Sequence, residues 1–289
     1  DAAAVVDTGG SAFVGRGFLE AVRAITDKPI RYVINTHMHP DHVFGNAIFK
    51  AEKPTFIAHH KMARGLAARA ERYMSINKGL LGDAAFEGTE IVLPSEHVKD
   101  RTELDLGERK ITLVARPTAH TDNDMTVFDE ATKTLVAGDL LFSGHIPTLD
   151  GSILGWIALI DVLRKEKAER VVPGHGPASM SWPDALDPLD RYLRGIADEV
   201  RSMIRANKTL SDRDDDVRFG ICFESATGIG SERDLGQVVR SCVALVQRLD
   251  CRSRCDGGSG ARLRQVEDAE FVANLRNSFD PAILATESL

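Results

Sequence analysis

Short apolar runs alternate with helically spaced segments along the first two-thirds of the chain. Val5-Val6 ends a strand that breaks at Asp7-Thr8-Gly9-Gly10. From about Gly17 to Thr26 the apolar residues recur at helical spacing, with Phe18, Leu19, Val22 and Ile25 on one face. Arg31–Ile34 and Thr55–Ala58 are short, mostly apolar runs that predict buried strands, and the Ala- and Arg-rich stretch His60–Tyr73 predicts a helix. Ile111–Val114 predicts another strand. Met125–Asp129 and Thr134–Ala137 predict a hairpin turning within Glu130–Lys133. Trp156–Arg164 has a helical pattern, Arg170–Val172 predicts a strand ended by Pro173-Gly174, and a long helix is predicted over Asp187–Ala206. Hairpins mixed with βα units predict a layered α/β fold with helices on the sheet faces.

After Asn207 this pattern stops. Ser211-Asp212-Arg213-Asp214-Asp215-Asp216 is a solvated charge run, and Leu249–Arg264 is rich in Arg, Cys, Gly and Ser with little periodicity. We therefore expect a domain over residues 1–206 and a tail over 207–289, irregular or a small helical appendage. A segment foreign to the fold, such as the product of a reading-frame error, is a second reading of that tail.

Composition narrows the classes. The 289 residues are 43% hydrophobic and 27% charged, enough to bury a sizeable core. The net charge of -7 argues against nucleic acid or an anionic membrane as partner, though not against an anionic substrate at a metal. No apolar run approaches the ~20 residues that span a bilayer. The sequence opens at Asp1 with no visible leader, read as a processed or truncated start that leaves location open. Cys222, Cys242, Cys251 and Cys255 all lie in the tail and read as incidental thiols, so metal ligands before them must be His and carboxylate.

The densest chemistry is His37-Met38-His39-Pro40-Asp41-His42, directly after a predicted strand. Strand-like spacing turns His37 and His39 to one side. Three imidazoles and a carboxylate within six residues suit zinc, and also iron or manganese. A polar surface loop is the plainer explanation, and far less apt for this density. His120, Asp139 and His175 each sit at the C-terminal end of a predicted strand beside small residues. Singly they read as a helix cap or loop residues; together with the first segment they repeat one pattern four times.

The series THMHPDH, HTDND, GDLLF and GHGP resembles the metallo-β-lactamase superfamily over about residues 1–206. The phrases INTHMHPDHVFGNAIF and AGDLLFSGHIP, followed by a segment bearing Trp156, are most similar to its quinoprotein-associated zinc metallohydrolases. The resemblance implies an αββα sandwich with two zinc ions at one edge. His37, His39 and His120 would hold the first, Asp41, His42 and His175 the second, with Asp139 between them. It also implies strands preceding Val5-Val6, so a sheet without its edge is expected, and a periplasmic or secreted location.

Such a site would use a metal-bridging hydroxide to cleave an ester, thioester or amide of a small-molecule acyl substrate. Asp41 would orient the nucleophile or carry its proton, and His145 would meet substrate at the mouth, against the alternative of an ordinary loop histidine. Asn46 and Asn123 are expected to support the ligand loops. His59 and His60 are expected on the surface at a helix start, and His97 has no assigned partner. Asp139 stands where true β-lactamases of this fold carry Cys or Ser, which favours a general acyl hydrolase. The competing readings are β-lactam hydrolysis, an iron-dependent oxidoreductase of the same fold, and a binding module without turnover.

Overall fold

The computed structural model describes residues 2–107 and 109–208. The expected tail lies outside these residues from position 209, as do all four cysteines. In chain order the elements open with β1 (Ala3–Val6), α1 (Ala12–Ile25), β2 (Ile30–Asn35), α2 (Pro40–Val43), α3 (Asn46–Phe49), β3 (Thr55–His59), α4 (Met62–Leu81) and α5 (Asp83–Phe86). They continue with β4 (Glu96–Val98), β5 (Arg101–Asp105), β6 (Lys110–Ala115), β7 (Met125–Asp129) and β8 (Thr134–Phe142). The series closes with α6 (Ile153–Leu163), β9 (Arg170–His175), β10 (Met180–Ser181) and α7 (Asp187–Arg205).

Two sheets face each other. One is parallel, in the order β1-β2-β3-β4; the other is mixed, in the order β10-β9-β8-β7-β6-β5. Ala4, Ile34, Ile57 and Val98 from the first meet Ile111, Leu113, Met125 and Val127 from the second in a dry central layer. On the outer face of the first sheet, Ala3, Val5, Val33 and Phe56 cover Val22 of α1. On the outer face of the second, Leu135, Ala137 and Val171 pack under Trp156 of α6 and Leu193 of α7. Each sheet thus buries one face on the other and one on helices, which gives the expected αββα sandwich. Among the described residues β1 is an edge strand paired only with β2.

Several boundaries differ from the sequence expectation. Helix α1 starts at Ala12 because the Ser11 side chain accepts from the Val14 amide and caps it. Helix α4 runs past Tyr73 to Leu81 and stops at Gly82, whose φ is 79°. Strands β4 and β5 carry no clear alternation because most of their residues are exposed. Strand β8 is buried along all nine residues and extends five beyond Ala137.

Candidate metal centre

Segments following strands of both sheets converge at one edge of the sandwich. His37, His39, His120 and Asp139 form one group, and Asp41, His42 and His175 a second. Within each group one donor atom per residue lies within 4.8 Å of every other. All seven residues singled out in the sequence come together here. Asp139 reaches both groups: its Oδ2 is 3.2 Å from His120 Nε2 and 3.6 Å from His37 Nε2, while Oδ1 is 3.0 Å from His42 Nε2. His175 Nε2 lies 3.1 Å from Asp41 Oδ2 and 3.5 Å from Asp139 Oδ2.

The expectation that Asp139 closes a strand is corrected: it lies inside β8. The β8–β9 register shifts on both sides of Gly138, which adopts a φ of 54°. Such a bulge re-aims the following side chain, here Asp139, at the cost of ladder regularity. Gly174 permits the close approach on the other side, since a Cβ there would stand 1.9 Å from Asp139 Oδ1.

Four of the imidazoles are held from behind. His37 Nδ1 lies 3.1 Å from Thr36 Oγ1, His42 Nδ1 2.8 Å from Asp7 Oδ2, and His120 Nδ1 2.8 Å from the Thr148 carbonyl. His39 is reversed: its Nε2 lies 3.2 Å from Asp150 Oδ2, and its Nδ1 faces His120 at 3.0 Å. With the rear nitrogen donating, each of these rings in its neutral form turns a lone pair inward, the form a metal ligand needs.

The inward atoms fit a cation. Among the described residues His37 Nε2, His42 Nε2 and Asp139 Oδ1 are buried with no hydrogen-bond partner. Buried polar atoms are ordinarily paired, and a bound cation would satisfy three orphans of one cluster together. Burial, reinforced by His42, holds His37 well below the ordinary imidazole range. Burial acts likewise on His42 and His175, but Asp139 and Asp41 outweigh it. His42 is raised well above the usual value, and His175 is pushed up to about 10. Burial would raise Asp139 and Asp41, yet the surrounding imidazoles, His42 first, keep both carboxylates well below their usual range.

Other sequence candidates fall around this centre. The exposed His145 stands at its rim, its ring 5.9 Å from that of His175. Asn46 accepts from Thr8 Oγ1 at 2.8 Å and donates to Asn35 Oδ1 at 2.8 Å, and Thr8 N donates to the His42 carbonyl at 2.8 Å. Asn46 thereby braces the backbone of His42 without touching a ring. Asn123 donates to Asp122 at 2.8 Å, and its own Oδ1 is a fourth buried orphan. His97 is exposed in β4, and His60 is exposed beside α4.

His59 corrects a surface expectation. It is the last residue of β3 and is buried, its ring stacked on His60 at 4.4 Å and its Nδ1 accepting from the Lys61 amide. Burial lowers its pKa to about 4.

Three residues near the centre escaped the sequence reading. Asp7, at a φ of 57°, accepts from Thr36 N and Thr36 Oγ1, both at 2.8 Å, as well as meeting His42. Its signal was present: an acidic residue at a strand end, like Asp139. Asp150 meets His39 and lies 3.6 Å from Arg69. Tyr73 stands edge-on to His39 with ring centroids 6.5 Å apart, and burial, with Asp150 nearby, pushes its phenol up to about 12. Nothing in local sequence marks the last two.

Known proteins resemble this chain in sequence or in fold. A linear primary-alkylsulfatase from Pseudomonas sp. (strain ATCC 19151) is 26% identical over 232 residues, 68% of this chain and 43% of that protein. A beta-lactamase-like protein 2 homolog from Caenorhabditis elegans is 23% identical over 192 residues, 66% of this chain and 56% of that protein. The chain thus spans about half the length of these curated relatives. Among solved structures, a metallo-beta-lactamase from Pontibacter korlensis aligns with a TM-score of 0.55 at 20% identity, over 67% of this chain and 82% of that one. TMB-1 aligns with a TM-score of 0.52 at 19% identity, over 67% and 81%. At such identity these likenesses speak for the fold alone. A family model described as the metallo-beta-lactamase superfamily matches residues 1–175, more than half of the sequence, and this chain belongs to that superfamily.

Proposed function

We propose that the chain is a dinuclear zinc hydrolase that cleaves an ester, thioester or amide bond in a small-molecule acyl substrate. The observation that carries this reading is the single carboxylate, Asp139, within 3.6 Å of imidazoles of both His-rich groups, with His37 Nε2, His42 Nε2 and its own Oδ1 left without hydrogen-bond partners. His37, His39 and His120 would hold one ion and Asp41, His42 and His175 the other, with Asp139 between. The donors are nitrogen and oxygen throughout, a set that zinc accepts and iron also accepts. Bound there, two divalent ions supply Lewis acidity, making water a nucleophile near neutral pH and polarising the bond under attack.

The remaining steps fall to the chain's own groups. The Asp41 carboxylate is partly open to solvent and kept ionised by its imidazole neighbours, so it is suited to accept a hydrogen bond from a water and orient it. His145 at the rim would donate a hydrogen bond to the substrate. Asp7 and Asp150 hold the tautomers of His42 and His39. In this reading the enzyme sits in the periplasm or outside the cell, and residues 1–206 form the catalytic domain. The alkylsulfatase relative adds sulfate esters to the bonds worth testing.

The test joins metal analysis to a substrate panel. The chain is expressed in medium replete in zinc and iron, and its metal content is measured. Esters, thioesters, amides, sulfate esters and β-lactams are then offered, with His39→Ala as control. Two equivalents of zinc and acyl turnover lost in the variant are expected. Stoichiometric iron with little zinc would overturn the choice of metal. Two bound equivalents with no turnover on any substrate would overturn the hydrolase.

A further inference from the structure

The site described so far uses only the start of one face of α4. Residues 69, 73, 76 and 80 are spaced by four, three and four, which sets them on a single helical face. At its near end Arg69 lies 3.6 Å from Asp150 Oδ1, with Nη1 3.7 Å from Met38 Sδ. Tyr73 follows, against the ring of His39. Beyond it come Ile76 and Leu80, 45% and 64% exposed. The face therefore passes from a cation to a phenol to bare hydrocarbon. Single exposed apolar residues need no explanation. An apolar run continuous with a polar cleft has the layout of a ligand site whose polar groups converge at one end.

We propose that this face of α4 is the substrate-binding wall and that it selects an acyl substrate with a long hydrocarbon arm. The scissile end would lie at the His/Asp cluster beside Arg69 and Tyr73, and the arm along Ile76 and Leu80. The inference rests on the hydrolase reading of that cluster. From Tyr73 to Leu80 the helix rises roughly 10 Å, the length of an extended arm of about eight carbons. A substrate arm suits the face better than a second copy of the chain because the polar groups at its head are largely enclosed, Asp150 with a side chain 21% exposed. The His39 side chain at its head is only 13% exposed, and a hydrocarbon chain is slim enough to enter where a protein surface is not.

Binding can be read apart from turnover. The full chain, with its metal content measured, is titrated by calorimetry with unreactive straight-chain carboxylates from acetate to dodecanoate. Rates on p-nitrophenyl esters of the same acids are followed in parallel. Affinity is expected to rise about two-fold per methylene up to about eight carbons and then level off, half the effect of full burial because the wall covers one side. Ile76→Ser combined with Leu80→Ser should flatten the rise, and Leu80→Ser alone should end it at about five carbons. Ile204→Ser on α7, at a residue 60% exposed, should leave it intact. A chain that binds all lengths equally, or a dependence that the double variant keeps, would overturn the proposal. If that double variant also shifts the oligomeric state, the face belongs to a contact between copies. Length-dependent binding with no turnover on these esters or on any other member of the substrate panel would instead sink the hydrolase and leave the wall standing.

Discussion

The two halves of the candidate centre differ in burial and in charge. His37 and His120 are almost wholly enclosed, and His37 is held neutral. The rear nitrogens of its group are fixed by Thr36, Asp150 and the Thr148 carbonyl. In the second group Asp41 and His175 are partly open to solvent, with side chains 41% and 30% exposed, and its imidazoles hold protons against neighbouring carboxylates. The difference arises within one hexapeptide. His37 lies in the bend that follows β2, and His39 is extended with a ψ of 146°; Pro40 then begins α2, and that turn carries Asp41 and His42 to the other group. One half is a ready cation site, and the other must give up protons to become one.

The largest effects come from ligands on either side of this divide. Asp139→Ala is expected to empty both groups and lower activity by more than about 100-fold, beyond what loss of a supporting residue costs. Asp41→Ala should empty only the second. Metal content after gel filtration reads both, and a one-equivalent Asp139→Ala protein would show that the carboxylate serves one group alone.

Supporting carboxylates give a finer cut. Asp150→Asn should weaken the first group and Asp7→Asn the second, each by roughly 10- to 100-fold in metal affinity. Chelator competition resolves the two steps. Because Asp7 also holds Thr36 behind His37, the sharper arm is Asp150→Asn, and weakening of the second step in place of the first would sink the assignment of the groups.

Protons separate the halves as well. Because His42 and His175 are raised without metal, filling the second group must displace protons, and its affinity should fall as pH falls through neutrality. The first group, with His37 lowered, should change less. Calorimetry in two buffers of different ionisation enthalpy measures the release, and equal release in both steps would erase the contrast.

The smallest effect lies outside the centre. His59 is neutral in the fold down to about pH 4, whereas its unfolded form takes a proton near 6.5. Between these values the unfolded state binds more protons, so stability should decline as pH drops from about 6.5 to about 4, by about 1–2 kcal/mol after allowing for partial solvation. Thermal melts of the wild type and His59→Asn across that window test it; parallel pH profiles would remove His59 as the cause.

The ligands were legible because residue type, spacing and strand ends all agreed for His37, His39, Asp41, His42, His120, Asp139 and His175. Their division came from the family resemblance alone, since residue spacing does not say that the turn into helix at Pro40 parts Asp41 and His42 from His37 and His39. Asp150 was invisible because it is 111 positions from His39 and only the fold joins them. His59 misled because His60 and Lys61 make the segment look like a solvated helix start, while the ladder of β3 carries it inward. Strands β4 and β5 escaped because polar edge strands show no apolar alternation. Strand identity was easier where a buried strand is a short apolar run, as in β3, whereas β8 was read only in part because Gly138 and Asp139 interrupt its run.

The reversed ring of His39 has a consequence for imitation by amides. A donor at Nδ1 sits closer to its own backbone than one at Nε2, about where an asparagine side chain ends, whereas glutamine reaches the Nε2 position. His39→Asn and His37→Gln are therefore the matched surrogates, and exchanging them gives two mismatched ones. The same hexapeptide thus calls for two different rulers, one short and one long, set by which nitrogen Asp150 and Thr36 leave free.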